Sequence, residues 1–443
     1  MNARYLFAAL LILVFVLLLT NSPIAQTESF SNFGIHYLVD QTFGNGGFVS
    51  TPFNKYGFNS TTILETNDNK YILVDTFVDT TAPKFGLARY TGTGQLDSTF
   101  GNNGIIVEGS KHAIVETAYL QSDDKILVAG TSFDPAVGNS QLHLMRFNSD
   151  GTIDSNFGTD GAILVSVPGQ ITCSEATGIA EQPDEKILLA GCTGDDIVAI
   201  LRFLPNGFPD LSFGIDGMAT QNVGSTVTVV DLILQNDGSI LLVGRQNLLF
   251  RTIMVQFTST GILDTTFGSG GVVNIRNTSD DRIVAAVAQS DGKIIVVGSG
   301  NQNPSGPNGV MLVRFNTDGS LDNSFGANGV TVINPILPQT ETAQSVSIQS
   351  DGKIIISASL SSSTTYGLMF MRFNPDGTVD TSFGALGKVF IDFPHTLPTV
   401  HDHLLLTNGN LIAAGDDDFD TILFQLTSFP INERIFLPIL VSP

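Results

Sequence analysis

Tryptophan is absent from this chain, and Lys and Arg together number 20 against 42 Asp and Glu. The missing indole weakens two readings at once, stacking on sugar rings and stacking on a quinone cofactor. A formal net charge of −22 argues against nucleic acid and anionic membrane surfaces, which both repel such a chain. Charge of either sign is scarce, 14% of residues against roughly 25% in an ordinary domain. Ser, Thr, Asn and Gly therefore cover much of the surface, and the acidic excess reads as solubility outside a cell.

Long apolar runs are missing beyond the N-terminus. There, Arg4 precedes an unbroken run of 15 residues from Tyr5 to Leu19, followed by Thr20, Asn21, Ser22, Pro23, Ile24 and Ala25. This is the order of a secretory signal peptide. The run is short of the roughly 20 residues that span a bilayer core, so cleavage near Ala25 is favoured over a retained anchor. Residues 1–25 are assigned to the signal, 26–36 to a linker, 37–429 to the repeat domain, and 430–443 to a tail or edge strand interrupted by Pro438. No membrane span is expected after cleavage.

Only two cysteines occur, Cys173 and Cys192. An even number in an exported chain invites a disulfide. A two-residue turn centred on Asp184 and Glu185 would place Thr177 opposite Cys192 and leave Cys173 out of register, so bridging stays open.

What the chain has in abundance is a repeat. Asp-x-x-Phe-Gly-x-x-Gly occurs seven times, with phenylalanines at Phe43, Phe100, Phe157, Phe213, Phe267, Phe325 and Phe383, spaced by 57, 57, 56, 54, 58 and 58 residues. Each unit holds four β-rich runs. The second and third are joined by a short polar turn, such as Ser290-Asp291-Gly292 or Ser350-Asp351-Gly352. Asp-Gly between apolar runs is a strong hairpin signal and suggests a type I′ turn. The third run, for example Ile294 to Val297, is apolar without alternation, as in a strand covered on both faces. No helical periodicity appears. A parallel β-helix has far shorter coils, and tandem sandwiches need about 100 residues each. The expected fold is all-β, a seven-bladed β-propeller of four-stranded antiparallel blades. The phase is ambiguous: the run after each motif could be the outer strand of the preceding blade, in which case residues 47–52 close the ring beside residues 400–427.

The motif phenylalanines read as core. Five units place an arginine eight residues before the motif aspartate: Arg89 and Asp97, Arg146 and Asp154, Arg202 and Asp210, Arg314 and Asp322, Arg372 and Asp380; Gln256 replaces it before Asp264. A clasp around the turn is favoured over a ring of charges at the channel. Asn148, Asp150, Gly151 and Asp154 superficially suit calcium, but Arg146 stands where a ligand is needed, so a plain hairpin turn is preferred.

Leu-Asp-x-x-Phe-Gly-x-x-Gly, Gln-x-Asp-Gly-Lys-Ile and Arg-Phe-Asn-x-Asp-Gly, seen at Gln289 to Ile294 and Arg314 to Phe325, resemble the delta-60 repeat family of bacterial extracellular propeller-like repeats. The resemblance spans residues 37–427 and implies a propeller with no activity or catalytic residues to transfer. Units one, four and seven depart from it at Tyr90, Gln256 and Gln425.

In an antiparallel meander the turns alternate between two faces. One face carries the near-constant Asp-Gly turns and Phe-Gly motifs. The other carries loops that differ between copies: Thr76 to Lys84, Ser132 to Gln141, Ser299 to Gly309, Asn334 to Thr340 and Phe393 to Thr399. Loops free to vary on a rigid scaffold are where partners are expected. Asp195 with Asp196, and Asp416, Asp417, Asp418 with Asp420, read as solvated loop charge rather than a cation site. His401 and His403, with His395 near, suit zinc only weakly, although alternation would put the first two on one side of a strand. No catalytic, cofactor or metal residues are assigned, and no cofactor. The expectation is a monomeric secreted or cell-surface binding scaffold for an extracellular protein or ligand, the alternative being an extracellular propeller hydrolase, lyase or oxidoreductase with its site on the same face.

Overall fold

A computed structural model of the chain describes residues 39–427, apart from residues 52, 54–60, 79–81, 109–111, 135–138, 166–175, 195, 302–307, 335–339, 362–365, 392–398, 407 and 417–419. Cys173 and the side chain of Cys192 fall outside the described residues, as do the N-terminal 38 residues, His395, Asp195, Asp417 and Asp418.

Among the described residues, 28 strands form seven four-stranded antiparallel sheets. Blades 1 to 6 span residues 62–108, 112–165, 176–222, 227–275, 282–333 and 340–391. Each takes four consecutive strands, the first innermost. Blade 7 holds β26 (Thr399–Leu405), β27 (Leu411–Asp416) and β28 (Thr421–Leu426), and its outer edge is β1 (Phe48–Thr51) from the other end of the chain. Phe48 faces Phe424 and Thr51 faces Thr421. The innermost strands contact one another in sequence around the ring, the last against the first. The structure thus settles the phase: the run after each motif is the outer strand of the preceding blade.

Burial explains the apolar text. The second and third strands of blade 5, Ile294–Gly300 and Gly309–Phe315, are buried at every position, whereas its outer strand Val330–Ile333 is only half-buried throughout. A middle strand has sheet on both sides and a neighbouring blade on each face. The cores accordingly run between blades: Leu127, Leu144 and Phe157 of blade 2 pack with Ala176, Ile187 and Leu189 of blade 3.

The hairpin turns differ from the type I′ expectation. In blade 5 the Gly292 amide donates to the Gln289 carbonyl (2.9 Å) and the Gln289 amide donates to the Lys293 carbonyl (2.7 Å); Gly292 alone among the turn residues has positive φ, at 82°. This is a three-residue loop with a left-handed final position, which suits the strand twist as well as I′ does. Where glycine is absent, Asn69, Asp124 and Glu185 occupy that position at φ 58°, 63° and 63°. Glutamate is poorly suited to it, so Glu185→Gly is expected to raise stability by about 1 kcal/mol in urea unfolding.

The longer turn also alters the register next to the cysteines. Ala176 pairs with Gly191 and Gly178 with Ala190, with a bulge at Thr177. Thr177 therefore does not face Cys192, because the third turn residue and the bulge each displace the pairing by one.

Candidate functional site

The two faces of the propeller have different chemistry. On the constant face the repeated arginine, aspartate and phenylalanine are committed to structure. Arg89, Arg146, Arg202, Arg314 and Arg372 each donate through Nε to the motif aspartate Oδ2 eight residues on, at 2.7–2.9 Å. Each guanidinium also lies over the motif phenylalanine of its own unit, 4.3–4.6 Å from the ring centroid. Four reach across to the next blade, where Nη1 donates to the carbonyls of Ser149, Pro205, Ser259 and Pro375. The clasp reading is correct, and the arginines are not at the channel. The lysine of the hairpin turn joins too: Lys70, Lys186, Lys293 and Lys353 lie 2.9–3.4 Å from Asp97, Asp210, Asp322 and Asp380.

Burial opposes ionisation of Asp210, but the Ser212 hydroxyl and amide, Arg202 and Lys186 outweigh it and hold its carboxyl at about 2. Against the same burial, equivalent partners hold Asp97, Asp322 and Asp380 well below the carboxylate range. Blade 4 has lost both cations, Gln256 and Ser239 standing in their places, and Gln256 Nε2 instead donates to Asp264 at 3.0 Å. The turn read as a poor calcium loop is a hairpin in which Asp150 Oδ1 accepts from the Thr152 amide and hydroxyl.

The innermost strands of blades 2 to 7 carry a bulge before they descend from the variable face. The register shifts at Glu116, Thr177, Val230, Val284, Gln344 and His401. A bulge leaves its residue unpaired and re-aims it. Four of these residues, Glu116, Thr177, Val230 and Val284, line one cavity of about 420 Å³ with Ala176, Val229, Ile283 and Arg245. The Thr177 hydroxyl there has no hydrogen-bond partner among the described residues, and the same holds at the variable end of the second strands for Ser132, Ser299 and Gln246 Oε1. Unused polar groups are not confined to the variable end: Gln289 Oε1 and Gln349 Oε1, in the constant-face hairpins, are also buried without a partner among the described residues.

Directly after two bulges stand Asp231 and Asp402. Asp231 accepts from the Leu232 amide (2.8 Å) and, across the blade boundary, the Ala286 amide (3.2 Å). Asp402 accepts from the His403 amide (2.8 Å), the Ser345 hydroxyl (3.1 Å) and the Ile63 amide of blade 1 (3.2 Å). Each caps the free edge of the next inner strand. Burial pushes the Asp231 carboxyl up to about 7, against the pull of those amides, and the Asp402 charge adds to the rise. Its folded value exceeds its unfolded one, so its contribution is fully present below about pH 4 and lost as pH rises through about 7. Asp231→Asn is expected to be less stable than the parent at pH 5 and at least as stable at pH 8. The difference in unfolding free energy should swing by about 2–4 kcal/mol; an equal difference at both pH values would refute this assignment.

The histidines do not converge. His401 is the bulge residue and its Nε2 lies 2.8 Å from Asp416 Oδ1. His403 is buried, with Nε2 2.9 Å from Ser347 Oγ and Nδ1 2.9 Å from Ser357 Oγ, both on blade 6. The bulge breaks the alternation that would have put both rings on one side. Desolvation pushes the His403 imidazole down to about 4, so it stays neutral, and a serine stands where a catalytic base would have an orienting carboxylate. Among the described residues no group of three or more His, Cys, Asp or Glu could hold a metal ion. Asp420 accepts from Ser50 Oγ at the ring seam, and Asp196 O accepts from the Val223 amide.

Fold and repeat chemistry together define a β-propeller repeat protein. Residues 121–157, 182–213, 289–325 and 349–383 match the family described as "Domain of unknown function (DUF5122) beta-propeller", each match running from a hairpin turn to the motif. A search of curated protein sequences gave no match. Solved structures with a similar course include Drosophila Semaphorin 1b extracellular domains 1-2 (12% identity, 87% of this chain and 88% of that chain, TM-score 0.44). Others are Sqt1 from Chaetomium thermophilum (12%, 84% and 97%, 0.47) and the propeller domain of the Trilobed protease from Pyrococcus furiosus (11%, 87% and 99%, 0.43).

Proposed function

We propose that this chain is a secreted or cell-surface propeller of the delta-60 repeat type that binds an extracellular partner through its variable face and catalyses no reaction. The observation that carries this reading is the division of labour between the faces. The turns repeated from unit to unit carry the clasps, while a cavity lined by Glu116, Thr177 and Arg245 lies at the variable ends of the inner strands. A scaffold that holds its shape through one face leaves the other free to specialise. The N-terminal run from Tyr5 to Leu19 supports export, and the acidic excess supports solubility there.

Purified protein screened against arrays of extracellular proteins and glycans is expected to yield a binder. Binding should be lost when the loops at 299–309 and 247–250 are replaced by short turns, and unaffected by substitutions at Asp68 or Asp351 on the constant face. Binding that follows the constant-face variants instead, or turnover of a captured glycan or ester, would overturn the proposal.

A further inference from the structure

Nine arginines lie among the described residues, and five are clasps. The other four, Arg245, Arg251, Arg276 and Arg282, fall at the junction of blades 4 and 5 on the variable face. Two loops bring them together. Asn247–Phe250 joins the second and third strands of blade 4, and residues 276–281 lead from blade 4 to blade 5. Arg276 donates to the Leu249 carbonyl, Arg251 Nη1 lies 3.4 Å from Asn274 Oδ1, and Arg282 sits 5.5 Å from the Phe250 ring centroid. Arg245, Asn247, Phe250 and Arg282 line a cavity of about 300 Å³.

These cations are underused. Arg245 is half-buried and its guanidinium has no ionic or hydrogen-bonding partner among the described residues, and the buried Nε of Arg251 has none either. Arg282 pairs with Asp280 but its side chain is 53% exposed. The same loop presents Leu248 at 80% exposure, with Leu249 and Phe250 also exposed. Among the described residues the other large exposed apolar side chains lie in outer strands or constant-face turns. Phe250 is held at φ 48°, a left-handed conformation costly for a bulky side chain, and such strain gathers at functional sites.

We infer that this patch is a docking site for an acidic segment of a partner protein, one that presents carboxylates beside apolar side chains. This deepens, and rests on, the scaffold reading above. Arginine and aromatic anchors with an apolar centre are the composition of a protein interface. Guanidinium forks suit carboxylates. The apolar tip decides against a sulfated glycan, which offers it nothing. The net charge of −22 decides against extended polyanions, which would run past the patch and be repelled wherever they come within a Debye length, about 8 Å, of the acidic surface.

The test uses a fluorescent peptide that alternates Asp or Glu with Leu and Phe, titrated against the full chain by anisotropy. Saturable micromolar binding is expected, weakening with salt. Arg245→Glu with Arg282→Glu should weaken it by more than about tenfold, and Leu248→Ser with Leu249→Ser by a similar factor. Leu248 and Leu249 are 80% and 46% exposed, so the second pair should leave the blade folded, and an unchanged urea midpoint checks this for both pairs. Absence of peptide binding, or binding indifferent to both pairs, overturns the inference. So does capture of heparin or of phosphatidylserine vesicles through these arginines in place of the peptide. An array partner that survives both pairs but is lost on replacing the loop at 299–309 would sink the patch and leave the scaffold standing.

Discussion

Replacing Phe157 by alanine is expected to lower the unfolding free energy by about 3–5 kcal/mol, visible as a lower urea midpoint with little change in slope. The ring is fully buried, with the Arg146 guanidinium 4.3 Å from its centroid. Its far side meets the next blade. A Cβ built on Gly207 would lie 2.9 Å from Phe157 Cε2, and the Gly158 amide beside the ring donates to the Asn206 carbonyl at 2.8 Å. One side chain therefore fills the clasp of blade 2 and seats the turn of blade 3. Truncation leaves a cavity that neither can collapse into, because the clasp is fixed to Asp154 and the turn by its own hydrogen bonds. Phe325→Ala, at the junction of blades 5 and 6, should cost a similar amount by the same mechanism. A loss below about 1 kcal/mol at both positions would show that the motif aromatic is not what joins the blades.

Much of this fold was legible because one motif recurs at nearly even spacing and each copy must bury the same Phe in the same way. The clasp was legible for the same reason: a fixed eight-residue interval around a turn brings Arg202 to Asp210 whatever the blade. What local text could not supply was the phase. The run after each motif is hydrogen-bonded to the strand before that motif, but the pattern of alternating runs reads equally well if it opens a new blade. The turn type was misread because Asp-Gly suits both a two-residue I′ turn and a three-residue loop ending left-handed, and the φ values of Asn69, Asp124 and Glu185 decide for the latter.

The candidate site was less legible. The bulges have no residue signature: Glu116, Thr177, Val230, Val284 and His401 share nothing but position. Without the bulge at His401, alternation wrongly pairs it with His403. The arginine patch did leave a signal. Once the five clasp arginines are set aside, the remaining described ones lie between residues 245 and 282.

The seam of the ring yields the other large effect. Deleting residues through Thr51 should leave a chain that aggregates or unfolds at markedly lower urea. The N-terminal segment completes blade 7 as each motif completes its own blade. Val39 bridges Leu426 as Ile153 bridges Phe147, and the Asp40 amide donates to the Gln425 carbonyl as the Asp154 amide does to Arg146. The segment contributes buried Phe43 and the Phe48 ring, 6.0 Å from Phe424, and the Gly44 amide donates across to Thr93 of blade 1 at 2.8 Å. Its removal strips β28, buried at all six positions, and exposes an apolar edge of the kind that recruits other chains. Loss of Phe43 alone should cost about 3–5 kcal/mol, and the strand adds to that. Blade 7 lacks an arginine clasp, Gln425 occupying that place, so no second fastening compensates. A synthetic peptide covering residues 39–51 should bind the truncated chain and restore its monomeric state and urea midpoint. A truncated chain that stays monomeric with the parent's midpoint would mean that the ring does not depend on this strand.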